Sequence, residues 1–385
     1  IGNQNINPYT FTPSMSVNNK ATSWIIDDTY VTSISSLPAL VSQNFTWEKV
    51  GTINVGLDVN LFNNRLSGVF EWYQRNTNGM LAPGVQLPAV VGASAPYQNT
   101  ADMRTRGWEL SLNWRDQIGK VGYRIGFNLS DYKSEIIKYD DNAATKLLSS
   151  YYPGQTLGEI WGYVVDGYYT VDDFVDTSSW QLKEGVTSIN GYNVRPGDVK
   201  FKNLRDDDTS TNVITSGDNT FDNPGDRKVI GNTTPRYQYG INLGMNYAGF
   251  DLNVILQGTG KRDYWISNVL TFPMNGDNFV PLFEGLSDYW MPKDPDNGDW
   301  SAVNPNAKYP RIYGNRGNSG SNLRQSDKYL SDASYLRIKN ITLSYKLPKK
   351  WVNQIFLNQM KAFVSIENVA TFTSLPSGID PERIE

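Results

Sequence analysis

The feature that most constrains this chain is a strict alternation of apolar and polar residues. From residue 53 to residue 61 every odd-numbered residue is Ile, Val or Leu, and every even-numbered residue is Asn, Gly or Asp. Successive side chains of a β-strand point to opposite faces, so this run predicts a strand with one apolar and one polar face. Residues 108–114, 121–129 and 237–247 repeat the pattern. The chain is therefore predicted to be all-β.

The alternating runs come in pairs separated by turn residues, which predicts antiparallel hairpins. Four are expected, pairing 53–61 with 66–75, 108–114 with 121–129, 237–247 with 250–256, and 335–347 with 360–368. In the last pair the alternation changes phase near Asn340. Residues 349–356, between its two strands, predict a short amphipathic helical turn.

The connections between these strands alternate between short and long. Those inside each pair are short, whereas residues 76–107, 132–236 and 259–334 form long connections between pairs. In a transmembrane barrel the turns on one side of the membrane are short and the loops on the other side are long. The order therefore predicts an antiparallel transmembrane β-barrel with long extracellular loops.

The two faces of these strands predict two environments. The apolar face would contact lipid, and aromatic residues near strand ends would form interfacial girdles; these are Trp72, Tyr73, Trp108, Trp114, Tyr132, Tyr237, Tyr247 and Trp351. The polar face would line the interior, with Asn54, Asp58, Arg124, Asn128, Asn242, Asn246, Asp251 and Asn253 among its residues. Trp and Tyr are also good strand residues, which would explain the aromatics without a membrane.

Composition narrows the function. The 385 residues include neither His nor Cys, which excludes Ser-His-Asp and Cys-His nucleophiles, thiolate zinc sites and disulfides. No carboxylate pair stands out as an acid/base couple, so neither enzymatic activity nor a cofactor is predicted. A net charge of −4 gives no reason to expect a nucleic acid partner.

Several stretches then match one family. NTADMRTRGWELSLNW from Asn99, DNPGDRKVIGNTTPR from Asp222 and SDASYLRIKNITLSYKLPKKW from Ser331 resemble segments of SusC/RagA-type TonB-dependent transporters, as do GEIWGYVVDGYY and PGDVKFKNL between them. They stand in the family's order and cover most of the chain. One departure is Ala101, which stands where the family's hairpin motif has glycine.

The resemblance implies a bacterial outer-membrane barrel of about twenty-two strands. It also implies an N-terminal plug, a segment that binds TonB and a SusD-like surface lipoprotein that closes the extracellular mouth. Residues 1–385 would all belong to the barrel domain, with the plug, the N-terminal strands, the last strand and the TonB-binding segment outside this chain. The expected activity is TonB-dependent import of a nutrient, with an oligosaccharide favoured and a peptide next.

Two other classes of protein stay open. The barrel could anchor an outer-membrane adhesin or surface binding scaffold, which would need neither plug nor TonB segment. Alternatively, the chain could be a secreted carbohydrate-binding β-sandwich, in which the apolar faces would meet a second sheet.

Candidate ligand or lid contacts are aromatic residues of the long connections, because flat rings stack on sugars and peptides. They are Trp161, Tyr163, Tyr168, Tyr169 and Trp180 in one connection, and Trp290 and Trp300 in the next. The favoured alternative is that these rings pack the loops together.

Acidic groups offer weak candidates for calcium ligands. Asp206, Asp207 and Asp208 are consecutive, and residues 294–299 contain three further aspartates. Neither group has the EF-hand spacing, so solvated turns are favoured and no metal site is predicted.

Overall fold

A computed structural model of the chain describes residues 12–13, 17–18, 25–26, 29–30, 34–35, 40–42, 46–205, 212–266, 284–313 and 320–384. Its main element is an eight-stranded sheet in which neighbouring strands follow chain order. The strands are β1 (Lys49–Leu61), β2 (Leu66–Pro83), β3 (Tyr97–Ile118), β4 (Val121–Tyr139), β5 (Arg236–Tyr247), β6 (Phe250–Lys261), β7 (Tyr335–Lys346) and β8 (Lys361–Thr373). This arrangement confirms the predicted all-β fold and its four hairpins.

The described residues form two compact units. One comprises residues 1–57, 70–108 and 132–157, and the other comprises 58–69, 109–131 and 158–385. The second contains β5 to β8 with the adjoining part of β4, and every pair from β4 to β8 is antiparallel. No helix among the described residues is long and apolar enough to cross a membrane.

The register of the second unit confirms the two predicted faces. Leu243 of β5 lies opposite Ile125 of β4 and Val254 of β6. Ile125, Leu243, Met245, Tyr247 and Phe250 are all exposed. On the reverse face, Asn242 lies opposite Gly126. A sheet with one exposed apolar face and one polar face fits lipid on one side and water on the other.

A β-bulge interrupts β7, where the sequence predicts a change of phase. Asn340 pairs with Ile255, but Ile338 pairs with the next residue, Leu256, which leaves Lys339 without a partner position. The register with β8 shifts at the same place. One extra residue in a strand reverses the face of every side chain beyond it.

Short turns close the sheet at one end. Ala248 and Gly249 join β5 to β6, with φ angles of 48° and 91°. Two successive left-handed residues fit the right-handed twist of a hairpin. The connection from β7 to β8 contains helix α1 (Lys349–Val352) and a 3-10 turn (Asn353–Ile355), which confirms the predicted helical turn.

The first long connection is much shorter than predicted. β2 continues to Pro83 and β3 begins at Tyr97, so the connection covers 84–96 instead of 76–107. In this region polar side chains join the strands. The Asn99 amide donates to the carbonyls of Gly79 at 2.6 Å and Thr46 at 2.8 Å, and it accepts from the Thr46 amide at 3.0 Å. Because these contacts are polar, the strands lack the alternation from which a strand is predicted.

The two longer connections contain short paired strands. Glu159–Tyr163 pairs with Arg227–Asn232, Val165–Tyr168 with Val199–Phe201, Ser188–Ile189 with Val213–Ile214, Asp263–Trp265 with Leu330–Asp332, and Pro292–Asp294 with Asp299–Ala302. The connection 140–235 has its own core, here called the loop core: Tyr163, Tyr169, Phe174, Ile189, Val194, Val199, Phe201 and Ile214. Nearer the N-terminus, Val17–Asn18 pairs with Ile34–Ser35, and Ile25–Ile26 with Thr29–Tyr30.

Candidate functional site

The polar face carries a charged cluster that lies flat against the sheet. Arg124 of β4 donates a 3.2 Å hydrogen bond to Asn253 of β6 and lies 3.7 Å from a carboxylate oxygen of Asp251. To reach them it crosses Gly244 of β5, where a Cβ atom would lie 2.3 Å from the arginine Nε. Any larger residue at this position of β5 would force the Arg124 side chain to shift, and the charges of this part of the face are paired.

Next to this cluster the polar face has a neutral hollow of roughly 470 Å³. Gly240 forms part of it, and Asn128, Gln238, Asn242 and Gln257 surround that glycine. Within the described part of the chain, none of these four amides is hydrogen-bonded to another protein side chain. Free amides provide both donors and acceptors, which suits hydroxyl groups or peptide units of a passing solute.

Three of the predicted aromatic contacts lie inside the protein. Tyr169 is fully buried in the loop core, and its hydroxyl donates to the Thr187 carbonyl at 2.6 Å. Tyr163 belongs to the same core, and Trp290 is 3% exposed. In this structure the three rings are closed to solvent and stabilise the loops, as the alternative interpretation expects.

The other four predicted contacts are partly exposed. The rings of Trp180 and Trp300 meet edge to face, with centroids 5.0 Å apart. Arg195 lies over the Trp180 ring at 5.6 Å, and Arg311 over the Trp300 ring at 5.0 Å. These contacts join the connection 140–235 to the connection 262–334. The exposed parts of these rings keep ligand contact as a prediction.

Trp161 and Tyr168 are the remaining two. The Trp161 indole donates to Glu159 at 2.8 Å, and the Tyr168 hydroxyl donates to the Ala307 carbonyl at 3.0 Å. Tyr168 thus also joins the two long connections, while one face of its ring lies 4.4 Å from the Lys328 amine.

Sequence reasoning missed Asp198, a further residue that holds the two connections together. Its buried carboxylate accepts from Tyr313 at 2.7 Å, from the Asn322 amide at 2.9 Å and from the Arg195 backbone at 2.7 Å. Burial raises the pKa of this carboxyl above its ordinary value, and these hydrogen bonds oppose the rise. The only sequence signal was its place in the family-like stretch from Pro196.

The glycine before Asp198 is equally constrained. Gly197 has a φ angle of 89°, and a Cβ atom there would lie 2.3 Å from the Trp290 ring. The Pro-Gly-Asp sequence therefore combines a left-handed backbone, a close ring contact and a buried acceptor in three residues.

A similar sequence at Pro224-Gly225-Asp226-Arg227 forms a structural turn. The Asp226 carboxylate accepts from the backbone amides of Leu204 at 3.0 Å and Thr215 at 2.7 Å. Arg227 donates to the carbonyls of Pro224 and Ser216. All of these partners belong to the protein backbone, so the pair serves the fold.

The acidic groups differ in whether the structure describes them. Asp206, Asp207 and Asp208 lie outside the described residues. Asp294 caps the turn at Asn297, and Asp299 accepts from Ser301. The described part of the chain contains no cluster of three acidic residues that could hold a metal ion.

The segment after β8 folds back onto the polar face. Arg337 of β7 is nearly buried and contacts Asp380 at 2.5 Å and Glu382 at 2.6 Å. Lys339 contacts Glu382 at 3.0 Å. These acids belong to the Asp-Pro-Glu stretch near the end of the chain, and sequence reasoning did not predict their partners.

Comparisons with known proteins agree with this architecture. No protein-family profile matches the chain. TonB-dependent receptor P3 of Formosa agariphila is 28% identical over 99% of the chain and 35% of the receptor. SusC of Bacteroides thetaiotaomicron is 24% identical over 99% of the chain and 34% of that protein. The chain therefore spans about a third of the length of these relatives.

Solved structures show the same fold. The RagAB peptide importer in its open-open state matches with a TM-score of 0.69, at 22% identity, over 98% of this chain and 36% of the RagAB chain. The closed-closed state of the importer matches with a TM-score of 0.67.

The sheet, its two faces and these matches define the class: the chain is an all-β portion of an outer-membrane barrel. The sequence matches then confirm the family resemblance. Over nearly its whole length the chain resembles about a third of the SusC-type TonB-dependent receptors. The relatives described above are named as receptors and importers, not as enzymes.

Proposed function

We propose that this chain forms part of the barrel of a transporter that imports a nutrient across the bacterial outer membrane in a TonB-dependent step. The observation that supports this most directly is the sheet itself. Neighbouring strands expose an apolar face opposite a polar one, and the two longest connections, 140–235 and 262–334, each join one hairpin of the sheet to the next. That combination suits a wall between lipid and an aqueous lumen.

The proposed cargo is an oligosaccharide, with a peptide as the second choice. Uncharged amides around Gly240 offer hydrogen bonds that either class could use. The name of SusC favours neither class of cargo, whereas RagAB is named as a peptide importer. The partly exposed rings of Trp161, Tyr168, Trp180 and Trp300 are the candidate contacts in the loops.

The proposed partners lie on both sides of the barrel. A SusD-like surface lipoprotein would cover the long connections, and TonB would bind a segment outside this chain. The adhesin alternative shares the barrel and needs no TonB. The sandwich alternative fits less well, because the apolar side chains of Leu243, Met245 and Phe250 are exposed instead of facing a second sheet.

The test is uptake by cells that express the full transporter with its lipoprotein partner. Labelled oligosaccharides and peptides of defined length are supplied, with and without a functional TonB. Import predicts accumulation of one class that stops when TonB is absent. Surface binding that persists unchanged without TonB, with no accumulation, would support the adhesin instead.

A further inference from the structure

The connection between β7 and β8 is strongly basic, together with the strand residue at each of its ends. Residues 346–361 include four lysines, Lys346, Lys349, Lys350 and Lys361, and no acidic residue. All four are exposed, and none forms an ion pair within the described part of the chain. Four like charges repel one another. The turn contains no acidic residue that could compensate them.

The same connection exposes large apolar side chains. Val352 faces inward and is 1% exposed, whereas Trp351 is 59% and Phe356 98% exposed. Phe356 also has a left-handed φ angle of 59°, which is unfavourable for an aromatic residue. Leu357 and Met360 are exposed beside it. Solvent alone does not explain a strained backbone that presents an apolar ring, so the turn is suited to a partner with an apolar layer.

Charge is distributed unevenly between the two ends of the sheet. The four short connections, residues 62–65, 119–120, 248–249 and 347–360, contain four Lys or Arg and no Asp or Glu. The connection 140–235 contains fifteen Asp or Glu and eight Lys or Arg. The short-turn end is therefore basic in a chain with a net charge of −4. A negatively charged surface complements that end.

The basic turn also adjoins the apolar face. Lys346 follows Tyr345, whose ring lies 4.6 Å from Phe250, and the Phe62 and Trp114 rings near another short turn lie 6.0 Å apart. From Tyr237 to Tyr247 the strand rises about 34 Å. At a tilt of about 40° this covers about 26 Å, close to the apolar thickness of an outer membrane. The lysines thus fall just beyond the apolar layer, at the level of lipid headgroups.

We propose that residues 346–361 bind anionic phospholipid headgroups of the periplasm-facing leaflet. The lysines contact phosphate groups, and Trp351, Phe356 and Leu357 insert between headgroups and acyl chains, as amphipathic interfacial segments do. The inference rests on the outer-membrane placement proposed above. It concerns a lipid contact of the turn and is independent of the cargo.

The first test measures lipid retention. The full transporter and its Lys349→Gln/Lys350→Gln/Lys361→Gln variant are purified with phosphatidylglycerol and phosphatidylethanolamine in equal amounts, and bound lipid is counted by native mass spectrometry. Each lysine near an anionic surface contributes roughly a fivefold preference, so the variant is expected to lose at least tenfold in its preference for phosphatidylglycerol. The matched control replaces three exposed lysines of the long connections, Lys183, Lys228 and Lys293, by Gln and keeps the preference. Equal loss in both variants, or in neither, overturns the proposal.

The second test measures depth. This chain contains no cysteine, so a spin label can be attached at Phe356→Cys, and at Leu243→Cys on the apolar face as a reference. In phospholipid nanodiscs both labels should be accessible to oxygen and protected from a water-soluble nickel reagent. If the Leu243→Cys label is protected but the Phe356→Cys label is fully exposed to water, the lipid contact of the turn is rejected and the membrane placement is kept. Water exposure of both labels also rejects the membrane placement on which the proposed function depends.

Discussion

Asp131 of β4 and Arg236 at the start of β5 form a two-point ion pair. One guanidinium nitrogen donates to the carboxylate at 2.6 Å, and Arg236 Nε contacts its other oxygen. The pair joins the two strands at the point where the connection 140–235 returns to the sheet. Asp131 is buried, so its charge depends on Arg236 for compensation.

Replacing Asp131 by Asn should destabilise the transporter by about 2 kcal/mol. The change leaves the Arg236 guanidinium partly buried without a carboxylate, and its partial exposure to solvent reduces the cost below that of a fully buried pair. Urea unfolding in lipid vesicles measures the loss. The exposed pair of Arg65 and Asp116 is the control, since Asp116→Asn should change stability by less than about 1 kcal/mol. Equal effects in the two variants would contradict this account.

Gly244→Val should destabilise the barrel by about 1–3 kcal/mol, because its side chain would displace Arg124 from its course across β5. The contacts of Arg124 with Asn253 and Asp251 would be lost with it. A thermodynamic cycle with Arg124→Ala measures the coupling. If the clash is the cause, Gly244→Val should cost much less in the Arg124→Ala background. An unchanged cost would show that the glycine serves the backbone alone.

Ala248→Asn should stabilise the hairpin of β5 and β6 by roughly 0.5–1 kcal/mol. Ala248 has a φ angle of 48°, and Asn tolerates this left-handed conformation better than Ala does. The midpoint of thermal unfolding should rise. Ala248→Val, with a branched side chain that the same backbone angle disfavours, should lower it. A rise with both substitutions would indicate that the turn opens in the native state.

The Asp198 carboxyl predicts a pH dependence of the loop core. Its folded pKa is raised, mainly by burial, so folding favours the protonated form. The stabilising contribution is therefore complete below the ordinary carboxyl pKa of about 3.9, and it is lost as the pH rises through the raised folded value. Hydrogen exchange at the amides of Tyr169 and Val199, which bond to Asp198 and Asn322, should become faster over this window.

Asp198→Asn should remove that pH dependence, because the amide does not titrate. Asp176→Asn provides a comparison of opposite sign. The Asp176 carboxylate is fully exposed, and hydrogen bonds from Ser178 and Ser179 hold its pKa below the ordinary value. The ionised Asp176 carboxylate therefore stabilises the fold at pH values above its ordinary pKa, and this stabilisation is lost as the pH falls. A slope that survives in Asp198→Asn would assign the titration to another group.

Trp161→Ala and Trp300→Ala should separate ligand contact from loop packing. Trp300 packs on Trp180 and Arg311, so its loss should speed proteolysis of the long connections. Trp161 meets Phe221 at 6.2 Å within its own connection and should affect loop order less. A ligand contact would appear as weaker uptake or binding at unchanged protease resistance. Reduced uptake only where proteolysis is faster would assign these rings to packing.

How far the sequence predicts this structure depends on whether one face of an element is apolar. Alternation identified the central part of every long strand and even the phase change near Asn340, which the structure places at Lys339, because lipid-facing positions accept little but apolar side chains. The ends of β2 and β3 were missed. There, Asn99 and Asp102 contact neighbouring backbone groups, and polar contacts leave no period in the sequence.

The sequence predicted which residue types form the candidate site better than it predicted where their side chains lie. The aromatic residues of the long connections were found and packing was their favoured role, but the sequence did not show which of the rings are buried, because several of them have partners far along the chain. Asp198 shows this most clearly. Its partner Asn322 lies 124 residues later, and no local pattern links the two. A position within a family-like stretch was the one indication that this carboxylate mattered.

The bulge at Lys339 also fixes where a charge is placed. If β7 had no bulge, Arg337 would lie on the same face of the sheet as Ile341, Leu343 and Tyr345, and would point into lipid. The extra residue turns it to the side where Asp380 and Glu382 lie. An arginine on the lipid face costs about 2–4 kcal/mol near the bilayer centre. Deleting Lys339, or inserting one residue before it, would therefore turn the side chains on one side of the change to the opposite face of the sheet. No single substitution can reproduce that effect.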